Sequence, residues 1–166
     1  MKISSVFKKV SLEIENWVKS SNNFFEINPV YDNSILTLSR GLAICLYNGW
    51  QCDWMMNSVD RDIVYNGTKL GLTWNKHRNT YLEIIEQFYY DIQKNGTSIT
   101  GESLAMNLDK CFILYLKILN SEDKNIIKTL KNQLRFVLKS SDNLYSDLIS
   151  GKRNIIVFSH LKEYMK

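Results

Sequence analysis

The residue types that most often do chemistry are few in this chain, and they do not converge. His77 and His160 are its only histidines. An imidazole works as a base only beside a group whose proton it can take and a second group that orients it. His77 lies in Trp74-Asn75-Lys76-His77-Arg78, and no nucleophile or carboxylate stands at a suitable spacing. It therefore reads as an exposed histidine at a helix start. Glu83 and Glu86 share one helical side, but the Glu-x-x-His pairs of a bundle-held metal pair are missing, so they read as a solvated edge. Cys45, Cys52 and Cys111 lack paired zinc spacing and are odd in number. Cys45 and Cys52 fall in an apolar stretch, as buried reduced thiols do. Gly67 and Gly71 are followed by no Gly-Lys-Ser/Thr, and Gly-x-Ser-x-Gly does not occur. The expectation is a chain that is not an enzyme and has no metal and no cofactor.

Two sets of residues point to binding instead. Lys124, Lys128, Lys131, Arg135 and Lys139 are spaced 4, 3, 4 and 4 apart. At roughly 100° per residue they span an arc of about 80° on one helix. Such a stripe suits phosphates or an acidic partner surface. The plainer reading, and the preferred one, is a solvated flank whose lysine stems cover the rim of the core. No aromatic residue interleaves the stripe, so stacking on single-stranded bases is not expected. The second set is Trp50, Asp53, Trp54, Asp60 and Asp62 near predicted helix ends, with Trp74 and Arg61 close by. Aromatics mixed with acids on a partly exposed surface suit a protein-binding patch, although each tryptophan taken alone reads first as core.

Composition narrows the class. The chain has 166 residues, 45% hydrophobic and 23% charged, with seven glycines and a single proline, Pro29. That supports one helical domain large enough to bury its own core. The net charge of +4 is mild, with about +1 up to Glu83 and about +3 after it. Nucleic acid is accordingly an unlikely partner on charge alone. The N-terminal stretch MKISSVFKKVSLEIENW alternates charged and apolar residues rather than forming a signal sequence. No run approaches the roughly 18 apolar residues of a membrane span. A cytoplasmic location without membrane contact is expected. The Asn-Gly-Thr triplets at Asn66 and Asn95 then read as helix ends rather than glycosylation sites.

The elements that must position these residues follow from period and punctuation. Ser39–Met56, SRGLAICLYNGWQCDWMM, is the most apolar run and is expected to be a central helix around which the others pack. A first amphipathic helix begins near Ser4 or Ser5 and ends at Ser20-Ser21-Asn22-Asn23. A connector around Pro29 is held to the core by its phenylalanines. Asp32 or Ser34 caps the second helix, which reaches Asn48-Gly49. That pair suits a left-handed C-terminal turn, or a kink after which helix resumes at Trp50 and continues to about Tyr65. Asn66-Gly67 is a stop, and Thr68–Trp74 reads as a loop. Helices are then expected over Asn75–Lys94, from Thr100 or Ser103 to Leu119, from Ser121-Glu122-Asp123 to Ser140-Ser141, and over Asp142–Ile149. Asn154–Lys166 contains a strand-like Ile155-Ile156-Val157-Phe158, but a strand without a partner is unstable, so helix is the expectation. The fold class is all-α, a single compact domain of six to eight packed helices.

The helix SRGLAICLYNGW is similar to the alanine- and leucine-rich central helix of some helical immunity families. In overall character the chain resembles an immunity protein of a bacterial polymorphic-toxin or contact-dependent growth inhibition system. The resemblance implies a one-to-one complex with a cognate toxin domain, often a nuclease, whose active site or substrate access is blocked without chemistry by the inhibitor. Immunity proteins against basic nucleases are frequently acidic, and this chain is not. The contact would then use the acids Asp53, Asp60 and Asp62, or the basic stripe against an acidic toxin surface. The competing class is a nucleic-acid-binding or regulatory helical protein using Lys124–Lys139.

Overall fold

Ile3, Val6, Phe7, Val10 and Ile14 recur at three- and four-residue steps and are all buried, so α1 (Ile3–Ser20) lays one apolar face on the rest of the chain. The computed structural model describes residues 1–20, 25, 30–32 and 34–156. Among them α1 is followed by α2 (Ile35–Met56), α3 (Arg61–Ile92), β1 (Ile99–Thr100), α4 (Leu104–Leu119), α5 (Lys124–Ser150) and β2 (Asn154–Ile155). The architecture is essentially all-helical, but with five helices among the described residues rather than six to eight.

The central helix is where it was expected. Leu38, Leu42, Ala43, Ile44, Cys45, Tyr47 and Asn48 are buried around the whole circumference of α2, as in a helix enclosed by its neighbours. Gly41 makes room for α3, because the Tyr81 ring occupies the space a side chain there would need. Short side chains cap the helix starts: Ser34 accepts from the Thr37 N–H, Asp60 from Asp62 and Ile63, Ser103 from Met106, and Asp123 from Asn125 and Ile126. The Phe7 ring packs on Phe112 and Tyr115, which joins α1 to α4.

Several expected boundaries are absent, and tertiary packing explains each. Asn48 does not begin a left-handed turn. Its buried amide donates to the Phe25 carbonyl (3.0 Å) and accepts from the Phe25 N–H (3.1 Å), and α2 runs through Gly49 without a stop. Phe25 thus anchors the connector, packing on Trp17 and Tyr47; Phe24 and Pro29 lie outside the described residues. The helix ends instead at Asn57, and α3 starts after Asp60, so Tyr65 belongs to α3. Asn66-Gly67 and Thr68–Trp74 are helical. A Cβ at Gly67 would sit 2.7 Å from that of Met55, so this glycine serves close helix packing, not termination. Ser141 is buried and donates to the Val137 carbonyl (2.6 Å), so α5 continues to Ser150 and stops at Gly151, the left-handed position (φ 73°).

The C-terminal expectation of helix is corrected for Asn154 and Ile155. Their strand does have a partner, β1, paired in parallel with Ile99 opposite Asn154 and Thr100 opposite Ile155. Side chains extend this tie. Gln93 accepts from the Ile155 N–H (2.8 Å) and donates to its carbonyl (3.4 Å), while Asn154 accepts from the Gly96 N–H (2.8 Å) and donates to its carbonyl (3.4 Å). Residues 157–166, with His160 among them, lie outside the described residues.

Candidate functional site

At about 1.5 Å per residue, α3 is roughly 48 Å long and α2 roughly 33 Å. They pair as an antiparallel hairpin with a short turn at residues 57–60. From Arg61 to Thr73 the only buried residue of α3 is Gly67, whereas Tyr81, Ile85 and Tyr89 further on are deeply buried. The hairpin therefore has a rooted half and a free half. On the free half Trp54, Val59, Ile63, Tyr65, Leu70 and Leu72 are exposed, Trp54 to 68%. That is a contiguous stretch of chain carrying far more exposed apolar surface than scattered surface leucines would give.

Beside this free half lies a groove of about 510 Å³ between α2, α3 and the last turns of α4. Trp50 and Trp74 line it from α2 and α3, and Ile113 and Leu116 from α4; Asp53, Asn75, Arg78 and Lys117 supply its polar groups. Trp54 meets Trp50 edge-on, with ring centroids 6.1 Å apart. The aromatic signal read from the sequence thus becomes two half-buried indoles in a groove and one exposed indole packed on the first. Trp74, grouped with helix ends in the sequence, stands in the middle of α3.

Arg78 is tied down in this groove. Its Nε and Nη2 donate to the two carboxylate oxygens of Asp109 on α4, at 2.7 and 2.6 Å. Asp109 is only 2% exposed, and this forked pairing holds the guanidinium above its usual pKa. The third nitrogen leans toward Asn75 (3.4 Å). Cys45 also lines the groove, but burial pushes its thiol up to about 12, outweighing the pull of Arg78, so it stays protonated and a poor nucleophile. Cys52 and Cys111 are buried free thiols as well. His77 is half-buried in the middle of α3, not at a helix start; its Nδ1 pairs with the Tyr31 hydroxyl at 3.0 Å, and its ring lies against Trp74. Glu86 is buried, not a solvated edge: it accepts from the Ser103 hydroxyl (2.6 Å) and the Ala105 N–H (3.0 Å) at the start of α4. Among the described residues, no group of three or more His, Cys, Asp or Glu could hold a metal ion. No helix among them is long and apolar enough to cross a membrane.

The residues singled out in the sequence fall on two separate surfaces. Trp50 and Asp53 line the groove, and Trp54 stands beside it. Asp60 caps α3, while Asp62 is exposed in the first turn; neither lines the groove. Lys124, Lys128, Lys131, Arg135 and Lys139 are all exposed on α5, and the first four line a shallow trough of about 390 Å³ with Ile127 and Asn132. The α4 wall and Arg78 were missed. A signal existed, since Asp109 falls on the apolar side of α4 with Ala105, Phe112 and Leu116, and a carboxylate in that register needs a cationic partner. The groove itself has the size and the apolar-with-few-polar lining of a binding cleft. No family model, curated protein or solved structure matches this chain.

Proposed function

We propose that this chain is a non-catalytic immunity protein that neutralises a cognate toxin domain in the cytoplasm through a one-to-one complex. The free half of the α2–α3 hairpin and the adjoining groove form the docking face. The observation that carries this reading is Trp54, 68% exposed yet packed edge-on against Trp50 at the rim of an apolar groove. An aromatic anchor beside a pocket lined by Asp53, with Asp62 exposed in the first turn of α3, has the composition of an interface hot spot. A toxin side chain would enter between Trp50 and Trp74, and the acids would steer a basic nuclease surface and select among partners. Occlusion of the toxin's active site or substrate access then follows from the bulk of the bound helices, with no bond made or broken by the inhibitor.

The test is co-purification of the tagged chain with the product of the neighbouring gene, together with rescue of cells from that product. Trp54→Ala is expected to weaken the complex by about 2 kcal/mol, the scale of a hot-spot truncation, and to leave the melting temperature unchanged. A full-affinity Trp54→Ala complex, or no complex with the wild-type chain, would remove this reading.

A further inference from the structure

The basic trough on α5 takes no part in the docking face, and its charge is concentrated. Its five cations, counting Lys139, exceed the net charge of +4 of the whole chain, so the rest is slightly acidic. All five are exposed, and no ion pair among the described residues involves any of them. They advance along the helix in steps of roughly 4.5–6 Å and cover about 22 Å in all. Lys124, Lys128, Lys131 and Arg135 line the trough with one amide, Asn132, and one apolar side chain, Ile127. Lysine is depleted in protein interfaces, whose centres are apolar, so this lining fits a protein partner poorly. The apolar side of α5 is committed to the interior through Leu134, Leu144 and Leu148, so the helix cannot lay that side in a lipid surface as an interfacial helix does. A phosphate backbone asks only for a line of accessible cations and an amide donor or two.

We infer that the Lys124–Lys139 face of α5 binds the phosphate backbone of double-stranded nucleic acid, independently of sequence. The duplex backbone lies along the trough, and Lys124, Lys128, Lys131 and Arg135 each meet a phosphate while Lys139 extends the track. The trough lining holds no aromatic residue, and the exposed Phe136 lies about 100° round the helix from Arg135. Unstacked bases therefore find no platform within the trough itself, which favours duplex over single strand. This mode of binding needs neither the Trp54 face nor its partner.

The test is fluorescence anisotropy of a labelled 20-base-pair DNA duplex with the full chain, titrated from low to moderate salt. Expected is binding whose logarithm falls against log salt with a slope of about −4, the value for four to five neutralised phosphates. Each single Lys→Gln change at Lys124, Lys128 or Lys131 should lower the slope's magnitude by about 1. The triple variant K128Q/K131Q/R135Q should bind at least about tenfold more weakly at low salt, with an unchanged melting temperature, while K69Q/K76Q on the hairpin should bind as wild type. Absence of binding at low salt would overturn the inference. So would loss of binding in K69Q/K76Q but not in the triple variant, tighter binding of the matching single strand, or equal competition by polyglutamate, which would move the site to acidic proteins.

Discussion

Glu86 carries a proton-linked effect that a single substitution can isolate. Burial raises its pKa above the usual 4.5, and the two hydrogen bonds from Ser103 and Ala105 only partly offset this. A carboxyl whose folded pKa is raised binds its proton more tightly in the folded than in the unfolded chain. Its contribution to stability therefore grows as pH falls from the folded pKa toward 4.5 and is lost above it. Glu86→Gln keeps, in its amide oxygen, an acceptor for both the Ser103 hydroxyl and the Ala105 N–H, and it cannot ionise. The variant is expected to be at least as stable as wild type at pH 7, with the difference narrowing as pH falls to about 4.5. Urea unfolding of both proteins across that range measures it; a gap that stays constant with pH would show that Glu86 does not titrate there. Asp109, also buried, differs in its partner: the Arg78 guanidinium donates to both of its carboxylate oxygens.

At the scale of elements, α3 holds two regimes in one helix. Its second half is fixed by Tyr81, Ile85 and Tyr89, each 2% exposed or less, whereas its first half is seated on α2 mainly through Gly67. Opening free energies follow buried contact density, so the amides of Arg61–Thr73 are expected to exchange with deuterium well before those of Tyr81–Tyr89. Equal protection along the whole helix would contradict this division. Much of this layer is readable from the chain. The apolar periods of α1, α4 and α5, the caps at Ser34, Ser103 and Asp123, and the central placement of α2 all follow from residue types at known spacing. The misread boundaries share a cause. Asn48, Gly67 and Ser141 carry strong local stop signals, but each makes a specific buried contact that local propensity does not register. The groove was half legible: its tryptophans stood out, but its α4 wall depends on which helices become neighbours.

For the molecule as a whole, the β1–β2 tie fastens the end of α5 to the α3–α4 connection. Parallel pairing of so short a strand is weak by itself, and the Gln93 and Asn154 amides reinforce it on both sides. Gly96 packs within 2.7 Å of Arg153, counted from the Cβ it lacks, so the two segments touch backbone to backbone. Asn154→Ala would leave the Gly96 N–H without its acceptor. The expected cost is about 1–2 kcal/mol, read as a fall of a few degrees in the melting temperature, with the proposed docking at the Trp54 face untouched. A variant that melts with wild type would assign the tie to backbone contacts alone.

The division of α3 also bears on how such a protein changes over generations. Substitutions between residues 53 and 73 that spare Gly67 displace little from the interior, so most leave the folded population where it was. A lineage can then sample new side chains at this end one at a time, each viable before it is useful. The rooted half supplies a constant platform, and under the proposed docking role partner recognition becomes the variable that drifts freely until a new partner fixes it.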